Sequence, residues 1–194
     1  MVRVEYLETT TTQYILLPPI PNGVHLSFAI EWYVTTPSTM YVCAFGSKHG
    51  TVNTGIYTQF LPAYLIFDLA GGTTARRIIS SSRPSMQEWH HAEFINGILY
   101  VDDVQCSATT ISDVYNQGPN TYSYLGVFGA YREVDGQMEM MRGRIAYFTL
   151  WYDGELAHSL VPVRIGKEGF MYDEVDGTLY GNAGTGQFVL GADL

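Results

Sequence analysis

The chain has little charge, and its basic residues are fewer than its acidic ones. Of its 194 residues 15% are charged, with 10 Lys and Arg against 19 Asp and Glu, which gives a net charge of −9. Nucleic-acid binding needs a positive surface and an anionic membrane leaflet repels a negative one, so we expect neither partner. Arg76, Arg77 and Arg83 leave a local basic patch open, although solvated strand-edge positions explain them better.

Cysteines and long apolar runs are also scarce. Cys43 and Cys106 are too few for a disulfide framework or a four-cysteine zinc site, and a single bridge between them stays open. No run approaches the ~18 consecutive apolar residues of a membrane-spanning helix. The opening MVRVEYLETT lacks the apolar core of a signal peptide. We therefore expect no membrane insertion. The sequence does not indicate the compartment, and a cell or virion surface, reached by a route other than a signal peptide, stays open.

Helical periodicity is missing, and alternation with a period of two takes its place. No segment of ten or more residues shows a clean 3.6-residue repeat. Residues 143–154, GRIAYFTLWYDG, are apolar on both faces, with Ile145 opposite Phe148 and Leu150, which predicts a central strand buried on both sides. In residues 25–34 the alternation places five apolar side chains on one face: Leu26, Phe28, Ile30, Trp32 and Val34.

Turn signals and aromatic residues agree with these strands. Aromatic residues make up 14% of the chain, a bias that suits pleated sheets. Five dipeptides predict tight turns: Asn22-Gly23, Asn96-Gly97, Asp135-Gly136, Asp153-Gly154 and Asp176-Gly177. The uneven spacing of these turns favours a jelly roll over a plain meander. We predict an all-β, two-sheet antiparallel sandwich, formed by a single domain over residues 1–194.

Three segments carry a family likeness. Residues 88–103, EWHHAEFINGILYVDD, resemble a strand pair of laminin-G-like domains, with Asp103 in place of the usual final glycine. Residues 5–18 and 143–191, the latter including MYDEVDGTLYGNAGTGQF, resemble the start and end of concanavalin A-like lectin/glucanase domains from gut bacteria and their phages. The residues that match the first pattern are Trp89, His90, Asn96, Gly97, Val101 and Asp102.

The resemblance implies a jelly roll of two curved antiparallel sheets that presents a concave face. Lectins, glycan-cleaving enzymes, adhesive modules and structural parts all use this fold, so it does not decide the function.

Two segments come close to the Glu-x-Asp-x-x-Glu motif of laminarinase-type glucanases. EVDGQM contains Glu133 and Asp135, and EVDGTL contains Glu174 and Asp176, but each lacks the final carboxylate. In each, glycine follows the aspartate, which predicts a hairpin tip. We therefore predict no catalytic residues and no enzyme.

A different carboxylate pair keeps one alternative open. Glu31 and Glu93 lie in strand contexts, where two acids from different strands could face each other as glycosidases require. Solvation at the surface is the better explanation for both.

No cofactor is expected, with calcium as the alternative. The glycines of GNAGTG lack the Lys-Ser/Thr of a phosphate-binding loop and are expected to allow positive φ and close backbone approach in the last turn. His90 and His91 are adjacent, so in a strand they face opposite sides and cannot chelate one zinc ion. Lectin jelly rolls often bind calcium at a sheet rim, and the candidate ligands here are Asp102, Asp103, Asp113 and Asn116.

Aromatic platforms with a few planar polar groups are typical of glycan sites. The candidates in loop-proximal contexts are Tyr57, Phe60, Tyr64, Tyr131 and Arg132. The sequence favours a non-catalytic recognition module for carbohydrate binding or adhesion at a cell or virion surface. The alternative is a structural phage component, such as a capsid decoration, fibre or tail domain, that binds protein. The expected partners are a glycan or a surface protein, with homo-oligomer or virion assembly left open.

Overall fold

The computed structural model describes residues 1–35, 42–49, 52–59, 64–69, 76–80, 84–106, 110–115, 124–132 and 135–194. These residues form β1 (Val2–Arg3), β2 (Leu7–Thr9), β3 (Ile15–Leu17), β4 (Leu26–Val34), β5 (Val42–His49), β6 (Val52–Gln59), β7 (Tyr64–Leu69), β8 (Arg76–Ile79), β9 (Trp89–Ile95), β10 (Ile98–Val101), β11 (Val104–Gln105), β12 (Leu125–Val127), β13 (Gly129–Arg132), β14 (Gln137–Met140), β15 (Gly143–Tyr152), β16 (Glu155–Ile165), β17 (Glu168–Asp173), β18 (Leu179–Tyr180) and β19 (Val189–Leu190).

The strands form two sheets. The larger sheet runs β11-β10-β9-β4-β15-β16-β17-β18, with β2 and β1 beside β15 and β16 and with β19 beside β2. The smaller sheet runs β14-β13-β5-β6-β7-β8, and β12 joins it to β3. Among the described strands the pairings are antiparallel except for β13 with β5. Since β4 lies between strands far from it in sequence, the connectivity is that of a jelly roll. The predicted antiparallel sandwich is confirmed.

Aromatic side chains join the two sheets in the core. Phe28, Phe94 and Phe148 from the larger sheet meet Phe45 and Phe67 from the smaller one, and all are at most 1% exposed. Ring centroids are 4.6 Å apart for Phe45 and Phe148 and 4.7 Å apart for Phe67 and Phe94. Such pairs contribute about 0.5–1.5 kcal/mol each beyond the burial itself. The alternation predicted for β4 is confirmed, because its five apolar side chains are at most 5% exposed.

Strand β15 is central as predicted, but its pattern of burial differs from the prediction. Ile145 pairs with Trp32 of β4, whereas the next paired residue is Tyr147, so Ala146 has no partner on β4. This bulge reverses the alternation, and Ile145 therefore faces the core together with Phe148. The prediction that Ile145 lies opposite Phe148 is wrong for this reason. Both-sided burial is also wrong, because the outward side chains are only half-buried.

The predicted turns lie where the dipeptides indicated. Asn96-Gly97 and Asp153-Gly154 have φ values of 51° and 77° and of 54° and 81°, as a type I′ turn requires. Asp135-Gly136 separates β13 from β14, and Asp176-Gly177 separates β17 from β18. The described parts of both glucanase near-matches therefore lie at hairpin tips, and Glu133 falls outside the described residues.

The glycine-rich C-terminal segment closes the sandwich against the N-terminal segment. The Ala183 and Thr185 amides donate to the carbonyls of Tyr14 and Thr12 at 2.8 and 2.9 Å. A Cβ at Gly184 would lie 1.9 Å from the Thr12 carbonyl oxygen, and Gly186 has a φ of +77°. The two glycine roles predicted for this turn are confirmed. Cys43 and Cys106 are not joined by a disulfide bond. In the part of the chain that is described, no helix is long and apolar enough to cross a membrane.

Candidate functional site

The outward faces of the two sheets differ in their accessibility. On the smaller sheet, Cys43, Ile66 and Ala130 form a second apolar cluster apart from the core and are at most 5% exposed. Asp68 on the same face is 2% exposed, and both its carboxylate oxygens accept bonds from Arg77. On the larger sheet, by contrast, Trp89 and Ile95 are 38% and 48% exposed. Among the described side chains, those of Cys43, Ile66 and Ala130 on the smaller sheet are therefore buried, whereas the outer face of the larger sheet has exposed aromatic and apolar side chains.

Strands β9, β4 and β15 lie side by side and present aligned rows of side chains on this face. Residues paired across neighbouring strands project to the same side of a sheet. The rows are, in order, Trp89, Tyr33 and Arg144; His91, Glu31 and Tyr147; Glu93, Ala29 and Thr149; and Ser27 with Trp151. The bulge at Ala146 is what turns Tyr147 and Trp151 outward, since strict alternation from Ile145 would turn them inward.

A cavity of about 610 Å³ occupies the end of this face, and we name it the Trp151 cavity. Its floor is β4, where Ser27 and Ala29 have small side chains. Ile95 at the end of β9 and Trp151 near the end of β15 line opposite sides, and Glu93 lies beside Ile95. A volume of 300–1,000 Å³ with apolar walls and a few polar groups is typical of small-molecule sites.

Polar groups surround the mouth of the Trp151 cavity. His25 Nδ1 lies 3.0 Å from Asp113 Oδ1, and the His25 amide donates to Asp153 Oδ1 at 2.8 Å. The Asp153 amide in turn donates to the His25 carbonyl at 2.9 Å. These bonds tie the start of β4 to the β15–β16 turn and to residues 110–115. Carboxylate, imidazole and Asn96 amide groups thus face the space in front of an indole ring, an arrangement that suits sugar hydroxyls.

The inner end of the cavity adjoins a cluster of ionisable side chains. The rings of His91 and Tyr147 lie 6.0 Å apart, above the strand that separates them. Burial, and then the charges of Glu31 and Glu93, raise the pKa of Tyr147 to about 12. Glu93 pairs with Ala29 and not with Glu31, so the two carboxylates are diagonal neighbours on adjacent strands. Glu31 does not line the cavity.

Beyond this cluster the face is filled by aromatic rings that pack at tilted angles around Arg144. The Arg144 guanidinium lies 4.5 Å from the centre of the Tyr6 ring and 4.7 Å from that of Tyr33. Its Nε donates to Glu8 at 2.7 Å. Trp89 packs against both tyrosines, with centroids 5.9 and 5.6 Å away.

A serine, a histidine and an aspartate also come together beneath this face. His90 Nδ1 lies 2.7 Å from Asp102 Oδ2, and Nε2 lies 3.3 Å from the Ser85 hydroxyl. In a hydrolase Nε2 must be free to accept the serine proton. Here Nε2 is nearer to the Ser85 carbonyl oxygen, at 2.8 Å, to which it can only donate. The arrangement is a clamp that fastens residues 84–88 to β9. His90 is buried and His91 faces outward, as predicted.

The predicted calcium ligands lie in two places. Asp102 and Asp103 form the β10–β11 turn, with φ values of 50° and 64°, and Asp102 bonds to His90 and to the His91 amide. Asp113 lies at the mouth of the Trp151 cavity, and Asn116 is outside the described residues. Within the described ranges no group of three or more acidic, His or Cys side chains is arranged to hold a metal ion. The expectation of no cofactor and its alternative, calcium, both stay predictions.

Four of the five predicted glycan-binding residues lie on strands of the smaller sheet. Tyr131 and Arg132 lie on β13, where the Tyr131 ring is 5.8 Å from Tyr124 and Arg132 is paired with Asp135. Tyr57 and Tyr64 lie on β6 and β7, but their side chains are outside the described part of the structure, as is the whole of Phe60.

Of the residues that line the Trp151 cavity, the sequence indicated Asp113 as a candidate calcium ligand and Glu93 as one of a carboxylate pair. It indicated no binding role for Trp151, His25 or Ile95. A usable signal was present, because Trp151 stands two residues before the Asp153-Gly154 turn and Ile95 stands directly before Asn96-Gly97.

Comparisons with known proteins identify the fold. The crystal structure of a "putative carbohydrate binding protein" from Bacteroides ovatus ATCC 8483 aligns with a TM-score of 0.63 at 13% identity and covers 100% of this chain. The chain spans 62% of the length of that protein. A heptameric SAP-like pentraxin from Limulus polyphemus aligns with a TM-score of 0.52 at 12% identity, over 80% of this chain and 76% of the pentraxin chain. The fold is a concanavalin A-like jelly roll. No protein-family model and no curated protein matches the chain.

Proposed function

We propose that the chain is a non-catalytic carbohydrate-recognition module whose ligand binds in the Trp151 cavity. The observation that carries this proposal is the combination of an indole wall, a small-residue floor and a polar mouth in one cavity of about 610 Å³. Sugar C–H faces stack on aromatic rings, while their hydroxyls bond to planar polar groups such as those of Asn96 and Asp113. The carbohydrate-binding description of the similar Bacteroides ovatus protein supports the same ligand class.

The absence of catalysis is part of the proposal. Asp135 and Asp176 lie at exposed hairpin tips. The Ser85 hydroxyl donates to Glu88, so it is not directed at His90 as the hydroxyl of a nucleophile would be. The cell or virion surface, where such modules act in adhesion, is the setting that we propose for the interaction.

Two matched substitutions test the site on a glycan array. Trp151→Ala should weaken binding at least about tenfold, because it removes the stacking surface. Trp89→Ala, the same change on the same face but outside the cavity, should leave binding unchanged. Tyr131→Ala tests the smaller sheet in the same way. Equal losses for Trp151→Ala and Trp89→Ala would contradict a site in the cavity. Running the array with calcium and with a chelator tests the calcium alternative.

One observation favours a second function, a structural part that binds protein. Ile98 pairs with Ile95, and Leu156 pairs with Trp151, so apolar side chains form a row across the same face. Ile95 and Leu156 are 48% and 45% exposed. Two results together would favour protein binding: no binding to any glycan on the array, and self-association in sedimentation that is lost in Leu156→Glu. The ligand would then be a surface protein or a second copy of this chain, and not a glycan.

A further inference from the structure

The Trp151 cavity is a trough that is closed at one end. Along β4 the outward side chains are small at Ser27 and Ala29 and become large at Glu31 and Tyr33. The floor of the trough therefore rises within one row of side chains, moving away from the mouth at His25.

A wall of side chains stands where the floor rises. β9 and β15 are both neighbours of β4, so their backbones are about 9.6 Å apart across it. His91 from β9 and Tyr147 from β15 nevertheless approach to 6.0 Å between ring centroids. The two rings thus meet above Glu31 and block the route along the strand. His91 Nε2 lies 3.6 Å from Glu93 Oε1, beyond hydrogen-bond distance.

The next row closes the route a second time. Trp89, Tyr33, Arg144 and Tyr6 pack against one another, with neighbouring groups 4.5–5.9 Å apart. A glycan chain that lay in the trough could not continue along β4 over these side chains. The side walls, Ile95 and Trp151, project on either side of the floor, and the open side is the mouth formed by His25, Asn96 and Asp153.

We propose that the trough recognises the end of a glycan chain and not its interior. This inference rests on the proposed function and defines its substrate class. The floor from His25 to Ala29 is about 13 Å long, at roughly 3.3 Å per residue, which is the length of about two to three linked sugars. A chain enters through the mouth, places its terminal sugar over Ala29 beside Glu93, just before the row of His91 and Tyr147, and leaves by the same opening.

Binding of oligosaccharides of increasing length tests the inference. The probes are cello-, laminari-, chito- and manno-oligosaccharides of one to six sugars, titrated calorimetrically into the whole chain. In a series that binds, affinity should reach its plateau at two or three sugars and change less than about twofold from three to six. Affinity that still rises from three to six sugars would overturn chain-end recognition, while leaving the proposed function intact. If no series and no array glycan binds, the proposed function itself fails, and the inference fails with it.

Polymer binding and wall variants give independent readouts. Cutting the polymer of the binding series to half its mean length should double the protein bound per gram, because the chain ends double. Constant capacity per gram would contradict the inference. Reduction of the oligosaccharides with borohydride shows which end of the chain is recognised. Binding is lost if the site recognises the reducing end and is kept if it recognises the other end. Tyr147→Ala and His91→Ala open the first row of the wall only, because the row at Tyr33 stays in place. The plateau should therefore move out by about one sugar in both variants, and Tyr124→Ala should leave it unchanged. A wild-type profile in both wall variants would refute the role of the wall.

Discussion

Asp173, in the hairpin near the C-terminus, is the carboxylate whose loss should lower the free energy of unfolding most. Its side chain is 0% exposed, although the sequence placed it beside a turn. Oδ2 accepts from His158 Nδ1 at 2.6 Å, and Oδ1 accepts from the amides of Ser159 and Val175 at 2.9 and 3.1 Å. One carboxylate thus joins β16, β17 and the β17–β18 turn.

Asp173→Ala removes all three bonds and leaves the His158 ring, with 13% of its side chain exposed, without its partner. Breaking a buried pair costs about 3–5 kcal/mol, and a buried amide left without an acceptor costs about 1–3 kcal/mol. Because the Val175 side chain is exposed and its amide is near solvent, we expect a total near the sum of the lower ends of these two ranges, about 4 kcal/mol. For a chain of this size that lowers Tm by about 8–16 °C.

Urea unfolding followed by circular dichroism measures the loss. Asp173→Asn keeps an oxygen for the two amides and removes the charge, so it should cost about half as much. Asp176→Ala is the control: the same substitution in the same turn removes a bond to the exposed Thr178 amide and should cost at most about 1 kcal/mol. If Asp173→Ala cost no more than Asp176→Ala, the reasoning from burial and bond count would be refuted.

Two further predictions concern ionisation. Burial, with a smaller effect of the Asp102 charge, raises the pKa of the Cys106 thiol from 9.0 to about 11. Cys106 should therefore react with iodoacetamide about 100-fold more slowly in the folded chain than in the urea-unfolded chain, as followed by mass. Equal rates would contradict this. For Tyr147, whose pKa is raised from 10.0 to about 12, the unfolded chain loses its proton first, so this group should reduce stability as pH rises from about 10 to 12 and have no effect below. Glu93→Gln should lower that pKa in an absorbance titration of tyrosinate, and an unchanged titration would show that Glu93 does not act on the ring.

The turns and one strand were predictable because they depend on local chemistry. Asn96 and Gly97 must both adopt positive φ, and few other dipeptides do so at low cost. The alternation of β4 could also be predicted from the sequence, because one face of this strand lies on the core along its whole length. The bulge in β15 was not, because an unpaired residue is defined by the partner strand and not by its own sequence.

The cavity could not be predicted from the sequence for a related reason. His25, Ile95 and Trp151 come from three distant segments, and they meet because β4 lies between β9 and β15. Aromatic content alone pointed to Tyr57, Tyr64 and Tyr131, which lie on strands of the other sheet. Nothing in the local sequence indicates which sheet will have a covered outer face.

The unpaired Ala146 gives β15 a tolerance for change in length. Because this residue has no partner on β4, a chain lacking it would restore regular pairing, with Ile145 still inward and Tyr147 still outward. Loss of Thr149 would instead exchange the faces of the residues beyond it and bury Trp151. Relatives of this chain can therefore vary in length at one position of the strand and keep the same binding face, whereas a gap three residues later would abolish it.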